Sequence, residues 1–400
     1  MVRRPLEGLR VLDLTRFVAG SQATALLAAF GADVVKLEVP PDGDPYRAQG
    51  TERLGDQSVL FLSLNSGKRS LGLDFRSPLA AEALDRLLAS SHFLVENARP
   101  GSLARYGLDW ETVHERYPSI VYGSISGYGD VGPAAARGGF DLILQAESGL
   151  MSVTGSESSG PVKVGAPVLD VGAAFCCSFG LLAAHVERER TGFGTHVSSS
   201  LLEFALAALG SLAASTFVSG DAPGLLGTHS PTFAPYGGFR TADGWIVVAG
   251  AGSEDLWVRC CKVLGADHLL DDPRFADNAS RVRHRDELTE ALEEVLRREP
   301  TAHWLASLEA EGVPAAEVQD IAKVFAGEQA RALEAVQELH HATAGDYRVV
   351  GPPVRLGTER FPYPSAAPSL GQHTIEVLDE LGFPRNEVDR LVAEGVAVTS

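Results

Sequence analysis

The sequence predicts an α/β fold, with an open, mostly parallel Rossmann-like sheet and a smaller α+β unit. Over the first 130 residues, short runs rich in Val, Ile and Leu alternate with segments of helical composition. Such alternation is typical of strand–helix–strand units with right-handed crossovers, and near-continuous apolar runs are typical of buried parallel strands. A chain of 400 residues also exceeds what one core usually serves, so we expect two domains or one domain with a large insertion.

Individual elements of the sheet can be assigned along the chain. Ser77 is a good N-cap and Pro78 suits the first position of a helix, so a helix is expected to begin there. The predicted strands are Leu9–Thr15, Ala32–Glu38, Ser70–Asp74, His92–Ala98 and Ile120–Ser126, and the helices between them are Ser21–Phe30 and Ser77–Ser90.

The rest of the chain is predicted to be mainly helical. A helix from Asp170 to Arg190 should end at Gly192. Residues 221–235 are rich in Gly, Pro, Ser and Thr, as linkers are. The other predicted elements are a helix at 201–219, a strand at Trp245–Ala249, a glycine-containing turn at 250–252, and helices near 253–264, 284–298, 301–312, 373–382 and 386–397. The strand, the turn and the helices that follow can form the small α+β unit.

Charge and cysteine usage exclude several classes of protein. A net charge of −18 argues against a nucleic-acid partner or an anionic membrane surface. Residues 1–110 hold 13 basic and 13 acidic residues, which leaves 21 basic and 39 acidic residues beyond, so a phosphate-bearing ligand is best tolerated in the first quarter. The cysteines form two adjacent pairs without disulfide or metal spacing. No charge-free stretch is long enough to span a bilayer and no signal-peptide core follows Met1, so we expect a cytoplasmic protein.

Familiar catalytic motifs are missing from the sequence. Gly127-Tyr-Gly129-Asp-Val-Gly132 matches a dinucleotide fingerprint, but Pro133 follows at once and the motif ends the strand–helix series, so we interpret it as a glycine-rich loop. The sequence has no G-x-S-x-G elbow, no Walker A loop and no cluster with metal-ligand spacing. The adjacent pair His340–His341 lies in a stretch of surface-like composition.

Polar side chains flank several of the predicted strands. In an open parallel sheet, ligands bind outside the carboxyl ends of the strands. Arginine forks and lysine ammonium groups there would suit a phosphate-bearing ligand, and solvated loop charges are the alternative. The residues concerned are Lys36, Glu38, Asn65, Lys68, Arg69, Asn97, Arg99 and Arg105.

Asp170 stands just before a long apolar helix, after the turn-like segment that begins at Gly165. An aspartate in this position is an ordinary N-cap that accepts hydrogen bonds from first-turn amides. The same amides and the helix dipole favour an ionised carboxylate, which is the form that attacks a thioester carbonyl. From these residues alone, a structural cap and a nucleophile both remain open.

The motifs taken in order resemble the family III CoA-transferases, such as formyl-CoA transferase and carnitine CoA-transferase. The likeness is collinear over essentially the whole chain, and its specificity comes from the series of motifs. The segments that carry it are 6–15 with Ala19-Gly20, 30–38 with Gly43-Asp44, Asn65-Ser-Gly-Lys68-Arg69, Val95-Glu-Asn97, Ser126-Gly127-Tyr128-Gly129, Phe140-Asp141, Pro167-Val-Leu-Asp170, Pro235-Tyr-Gly-Gly-Phe-Arg and Gly371-Gln-His-Thr374.

The resemblance implies an enzyme that moves CoA from an acyl-CoA to a carboxylic acid, without a metal or a bound prosthetic group. It implies a large CoA-binding domain from residues 1–220 and 325–400, a small domain with linkers at 221–324, and an interlocked homodimer. Asp170 falls on the position of the family's nucleophile, and Gly250, Ala251 and Gly252 fall on a glycine-rich loop that can cover the site. Positions matched to the CoA site are Phe17, Val18, Lys36, Leu73, Arg76, Asn97, Ala98, Arg99, Arg105 and Phe140.

Two other functions are weighed against transfer. An α-methylacyl-CoA racemase has a histidine before the aspartate of its His-Asp motif, and here Phe140 precedes Asp141, so the base that must titrate near neutrality is missing. A non-catalytic CoA-binding homologue would use Asp170 only as a cap. Within the transferases, Val18 and Val39 replace polar residues of the formyl-CoA:oxalate enzymes, which disfavours formate and oxalate as substrates.

Overall fold

A parallel sheet organises the larger of two compact units in the computed structural model, which describes residues 4–400. The strands follow the order β6-β5-β4-β1-β2-β3 and are parallel, and the short strand Ala397–Val398 pairs antiparallel with β3 at the edge. This is the strand order of a Rossmann fold, in which the order reverses between β1 and β4. The six strands are β1 Arg10–Asp13, β2 Asp33–Glu38, β3 Arg69–Leu73, β4 Phe93–Glu96, β5 Val121–Ser126 and β6 His196–Ser200.

The five predicted strands are confirmed, each to within two residues at either end. The sixth strand and the edge strand were not predicted, because three serines in β6 and the shortness of the edge strand give little apolar signal. Helices cover both faces of the sheet, as expected for buried parallel strands. The α-helices up to Ser219 are α1 Ala19–Ala29, α2 Val59–Leu64, α3 Ala81–Ala89, α4 Trp110–Arg116, α5 Asp141–Glu147, α6 Val168–Thr191, α7 Leu201–Ala208 and α8 Gly210–Ser219.

The 24-residue helix α6 packs against α1 and against strands β5 and β6. It ends at Gly192 in the left-handed conformation, as predicted. Within residues 4–400, α6 is long and apolar enough to cross a bilayer, as is the bent pair α7–α8 taken together, but α6 occupies the place of a core helix. The prediction of one helix over 201–219 is wrong. The chain bends by 64° between α7 and α8, where Gly210 weakens helix continuity.

The second compact unit contains residues 149–163 and 211–327, and the first contains the residues up to 148 with 164–210 and 328–400. Residues 149–163 and 211–220 thus lie outside the predicted small domain but inside this unit, and the predicted domain boundaries stay a prediction. A core around Phe239, Trp257, Phe275 and Trp304 holds the second unit together. Its main elements are β7 Tyr236–Arg240, β8 Trp245–Ala249 and β9 Ala315–Glu317 in an antiparallel sheet, with α9 Glu254–Leu264, α10 Asn278–Arg283, α11 Arg285–Leu296, α12 Thr301–Ala310 and α13 Ile321–Ala326.

The C-terminal segment returns to the first unit. An antiparallel hairpin places His341 in the interior and leaves His340 exposed beside Asp346, so the surface-like prediction holds for only one of the two histidines. The elements of this segment are α14 Glu328–Ala332, β10 Val336–His341, β11 Gly345–Val350, α15 Thr374–Glu380 and α16 Arg385–Ala393. A two-residue ribbon in the same segment pairs Arg355–Leu356 with Glu359–Arg360. Two similar ribbons lie earlier in the chain and pair Arg53–Leu54 with Gln57–Ser58 and Gly155–Ser156 with Gly160–Pro161.

Candidate active site

A cavity of about 260 Å³, here called the cleft, lies outside the carboxyl ends of β1, β2, β3 and β4. It spans the place where the strand order reverses, which is where open α/β sheets bind ligands. Phe75 and Tyr106 meet edge to face at its wall, with ring centroids 5.4 Å apart. Of the residues predicted for the CoA site, Lys36, Arg76, Ala98 and Arg105 line the cleft.

Three arginines line the cleft. Arg105 lies over the ring of Tyr106, and Arg76 forms an ion pair with Asp74. Arg16 is exposed, and its guanidinium has no ion-pair partner among the described residues. Sequence reasoning missed Arg16, although its place directly after β1, beside the reversal of strand order, was a usable signal.

Two predicted cations are buried instead of facing a ligand. The ammonium of Lys36 lies 2.9 Å from Asp44 and donates to the carbonyl of Thr15, so it reaches the cleft already neutralised. Lys68 is paired with Asp13 at 2.9 Å, and burial lowers the pKa of Lys68 to about 8. Arg69 begins β3 and therefore lies at the opposite, amino edge of the sheet, where it binds Asp33 and Glu380.

The loop between β1 and α1 forms one wall of the cleft. Asn97 fixes it with two hydrogen bonds, accepting from the Arg16 amide and donating to the Arg16 carbonyl, at 2.8 and 2.6 Å. Phe17 has a φ of +62°, which non-glycine residues rarely adopt. Val18 follows as the N-cap of α1. The predicted residues Phe17, Val18 and Asn97 are therefore brought together, whereas the side chain of Leu73 is wholly buried in the core.

A second cavity of about 260 Å³ lies next to the cleft, at the end of β4 and alongside β5 and the first half of β6. Arg99, predicted for the CoA site, lines this cavity. Ser124 Oγ and His196 Nε2 lie 2.8 Å apart in it. Burial raises the pKa of Glu96, although its carboxylate accepts a hydrogen bond from the Ala98 amide at 2.7 Å. Ala98 borders both cavities.

Asp170 is the third residue of α6, and Pro167 occupies the N-cap position, so the predicted N-cap role is wrong. The helix begins at Val168, two residues earlier than predicted, and the carboxylate of Asp141 caps its first turn by accepting the hydrogen bond of the Leu169 amide at 2.8 Å. Among residues 4–400, none donates a hydrogen bond to the partly buried Asp170 carboxylate. Burial, and then the charge of Asp141, raise the pKa of Asp170 to about 7.

Tyr46 lies within electrostatic range of this carboxylate. Burial and then the charge of Asp170 raise the pKa of Tyr46. The rings of Phe17 and Tyr46 meet edge to face with centroids 5.4 Å apart. Tyr46 was not predicted, and only its position after the Pro-Pro-Asp-Gly-Asp turn pointed to it. Phe140, predicted for the site, is the exposed N-cap of α5.

The predicted glycine-rich loop follows β8 in the second compact unit. Gly250 is buried against Cys260 and Pro235, where an added Cβ would lie 3.2 Å from a heavy atom of each. Ala251 is also buried, and Gly252 is exposed before α9, which Ser253 caps. The loop's role in covering Asp170 stays a prediction.

The chain is similar to characterised transferases over nearly its whole length. The model of CoA-transferase family III matches residues 6–374. A succinyl-CoA:glutarate CoA-transferase from Homo sapiens is 36% identical over 394 residues, covering 98% of this chain and 90% of the relative. A succinate–glutarate CoA-transferase from Agrobacterium fabrum is 33% identical, covering 94% and 96%. The crystal structure of a CAIB/BAIF family protein from Brucella suis superposes with a TM-score of 0.82 at 32% identity, covering 94% and 99%.

The parallel sheet, the cationic cleft at its carboxyl edge and these similarities agree. The chain therefore belongs to CoA-transferase family III, the enzymes that transfer CoA between an acyl-CoA and a carboxylic acid.

Proposed function

We propose that Asp170 carries the CoA exchange as a covalent nucleophile. One observation supports this most directly. The carboxylate of Asp170 is partly buried without a hydrogen-bond donor among residues 4–400, so neither a cap nor an ion pair occupies it. Poor solvation raises the pKa of Asp170 to about 7, so near neutrality much of it is a weakly solvated carboxylate, which is a reactive nucleophile.

The cycle consists of four substitutions at carbonyl carbons. The Asp170 carboxylate attacks the donor thioester, the C–S bond breaks, and a mixed anhydride and CoA thiolate form. The thiolate attacks the aspartyl carbonyl and expels the donor acid as a carboxylate, which leaves an aspartyl-CoA thioester. The acceptor carboxylate displaces CoA thiolate to give a second anhydride. The thiolate then attacks the acceptor acyl carbon and releases Asp170, so the cycle consumes no net proton.

CoA is proposed to lie in the cleft. Arg16 and Arg105 would meet phosphate oxygens as bidentate donors, and the Phe75–Tyr106 pair offers aromatic surface to the adenine. Lys36 contributes no free charge, because Asp44 neutralises it. The donors for the tetrahedral oxyanion are proposed to be backbone amides other than those of Leu169 and Val171, which already donate to Asp141 and Pro167.

For the acids, we propose succinyl-CoA as the donor and a short dicarboxylate as the acceptor. Both transferases compared above carry succinate or succinyl-CoA together with glutarate in their names. The proposal is tested by incubating succinyl-CoA with dicarboxylates and matched monocarboxylates and identifying the new acyl-CoA by mass spectrometry. Exchange should occur in deuterated water without deuterium entering the α-carbon. Washout of the α-proton would instead indicate racemase chemistry.

Trapping tests the nucleophile itself. Protein incubated with acyl-CoA and then with hydroxylamine should carry a hydroxamate at Asp170, located by peptide mass spectrometry. Asp170→Asn should lose both the adduct and activity, the latter by about a thousandfold or more. Asp286→Asn is the matched control, because Asp286 lies in the first turn of α11 and is exposed. An adduct on another residue, or activity retained by Asp170→Asn, would refute the mechanism.

We propose an interlocked homodimer, as the resemblance implies, and a cytosolic location. Large apolar side chains are exposed on the long helices, among them Phe179 on α6 and Phe217 and Val218 on α8, with 76%, 85% and 91% of each accessible. Exposed apolar surface of this kind marks protein interfaces. Light scattering should give twice the chain mass of 42.3 kDa, and differently tagged dimers should not exchange chains without unfolding.

A further inference from the structure

A buried ion pair lies beneath the wall of the cleft and has no place in the covalent cycle. Lys36 and Asp44 are each 1% exposed, and their charged atoms lie 2.9 Å apart. Two charges withdrawn from water are costly unless hydrogen bonds and close pairing compensate them, so such a pair is weak evidence for stability alone. Its contacts show what it does.

The pair connects two segments of chain that both border the cleft. The ammonium of Lys36 donates to the carbonyl of Thr15 at 2.6 Å. One carboxylate oxygen of Asp44 accepts from the Tyr46 amide at 3.0 Å and from the Phe17 amide at 3.5 Å. The loop after β1 and the turn after β2 are therefore fastened to each other through these two side chains.

The fastened loop is held in an unfavourable conformation. Phe17 has a φ of +62°, and a bulky residue keeps such a value only when its surroundings enforce it. Lys36 and Asp44 hold the loop at Thr15 and Phe17, and Asn97 holds Arg16 between them from the other side. The backbone of Arg16, whose guanidinium has no ion-pair partner among residues 4–400, is thus fixed in place.

The charges of the pair are maintained inside the protein. Burial by itself lowers the pKa of Lys36, but the carboxylates of Asp13, Asp44 and Glu38 raise it above its ordinary value, so the side chain stays an ammonium. A charged donor makes the stronger hydrogen bond to the Thr15 carbonyl.

We propose that Lys36 and Asp44 are positioning residues for coenzyme A, because the ion pair holds the Thr15–Phe17 loop in the strained conformation from which Arg16 meets the ligand. The inference rests on the proposed location of CoA in the cleft. Lys36 itself contributes no phosphate contact, which revises the role that the resemblance implied for it. Through the Tyr46 amide, the same pair also sets the turn that places a phenol near Asp170.

The test measures binding of free coenzyme A by calorimetry to the full-length protein and to Lys36→Met, Asp44→Asn and the double variant. We expect the Kd of each variant for CoA to rise about tenfold or more. A rise of this size corresponds to the loss of one charge-assisted contact, here that of Arg16 with CoA. The double variant should be no worse than the poorer single one, because the two residues act as a unit. The KM for acyl-CoA should follow the Kd while kcat changes less than about threefold.

Arg69→Met is the matched control. Arg69 is a partly buried cation in an ion-pair network of the same sheet, but at the amino edge, where it contacts Asp33, Glu376 and Glu380. Its loss should lower stability and leave the Kd for CoA within about twofold. The double variant keeps the test open if Lys36→Met fails to fold, since it leaves no unpaired buried charge.

The outcomes separate the two proposals. Folded variants that bind CoA with the wild-type Kd would overturn the positioning role of Lys36 and Asp44. The proposed location of CoA in the cleft would be unaffected by that result. Equal weakening in Arg69→Met would also overturn it, since the effect would then be general destabilisation. If the wild-type protein binds CoA and cross-linking places the ligand away from Arg16, the proposed location fails, and this inference fails with it.

Discussion

At the scale of single residues, the burial of Asp170 disfavours the ionised carboxylate that the proposed reaction needs. Its folded pKa of about 7 lies above its ordinary value of 3.8, because the site solvates the carboxylate poorly and places Asp141 nearby. Between about pH 4 and 7 the folded protein holds a proton that the unfolded chain has released. Stability must therefore fall as pH rises through this window, and the full loss persists above it.

Asp170→Asn is predicted to remove this dependence. Each pKa unit corresponds to about 1.4 kcal/mol, and partial exposure reduces the sum. We expect the variant to be more stable than the wild type by about 1–3 kcal/mol at pH 8 and by close to nothing at pH 4. Urea unfolding at both pH values measures the difference, with Asp286→Asn as the control. If Asp170→Asn gains no more stability at pH 8 than at pH 4, the raised pKa of Asp170 is contradicted.

At the scale of elements, α6 sets the position of Asp170, and its packing depends on a glycine. A Cβ added at Gly172 would lie 2.1–2.3 Å from ring atoms of Phe204 on α7. Alanine is the better helix former by about 1 kcal/mol. However, the ring of Phe204 cannot move far enough to make room for the added Cβ unless a helix shifts. Overpacking of this kind usually costs about 1–3 kcal/mol.

Gly172→Ala should therefore destabilise the protein and lower kcat, because Asp170 lies two residues before the clash. Thermal unfolding and initial rates measure the two effects. Gly210→Ala is the control, since an added Cβ there meets nothing within 4 Å. A Gly172→Ala protein with unchanged stability and kcat would contradict the prediction, because it would show that α7 moves aside without cost.

The elements also show how far the sequence reaches. Apolar runs predicted strands β1 to β5. Ser77 accepts from the Leu79 amide, but it caps a short 3-10 turn at Pro78–Ala80, and α3 begins only at Ala81. The series of motifs drew attention to Asp170, Asn97 and Arg105. Pairing partners could not be predicted from the sequence, since nothing local shows that Asp44 neutralises Lys36 or that Asp141 accepts from the Leu169 amide at the start of α6. Local composition reports backbone preference, whereas charge pairing depends on neighbours distant in the chain.

At the scale of the whole molecule, each compact unit has its own core. In the second, Arg281 is fully buried, donates to the carbonyls of Ala234 and Phe275, and pairs with Glu254 at 2.8 Å. Arg281→Met would leave these acceptors unsatisfied, at a cost of about 1–3 kcal/mol each.

We predict that Arg281→Met lowers the protection of backbone amides from hydrogen exchange in the second unit. Saturating CoA should raise the protection of backbone amides in the first unit. A ligand stabilises the part of the protein that binds it. Hydrogen exchange read by mass spectrometry resolves the two effects by peptide, with wild-type protein and CoA-free samples as controls. Protection by CoA confined to residues 211–327 would contradict the proposed location of the ligand.

The short strand Ala397–Val398, which completes the large sheet beside β3, has a consequence for biosynthesis. Its partner residues Gly72 and Leu73 leave the ribosome more than three hundred residues earlier, and the whole second unit is made in between. Until then the edge of β3 exposes unpaired backbone groups, which invite pairing with other chains. Pairing across so much of the chain is slow, so the sheet is expected to be vulnerable to aggregation until Ala397 and Val398 have been made and have paired with β3.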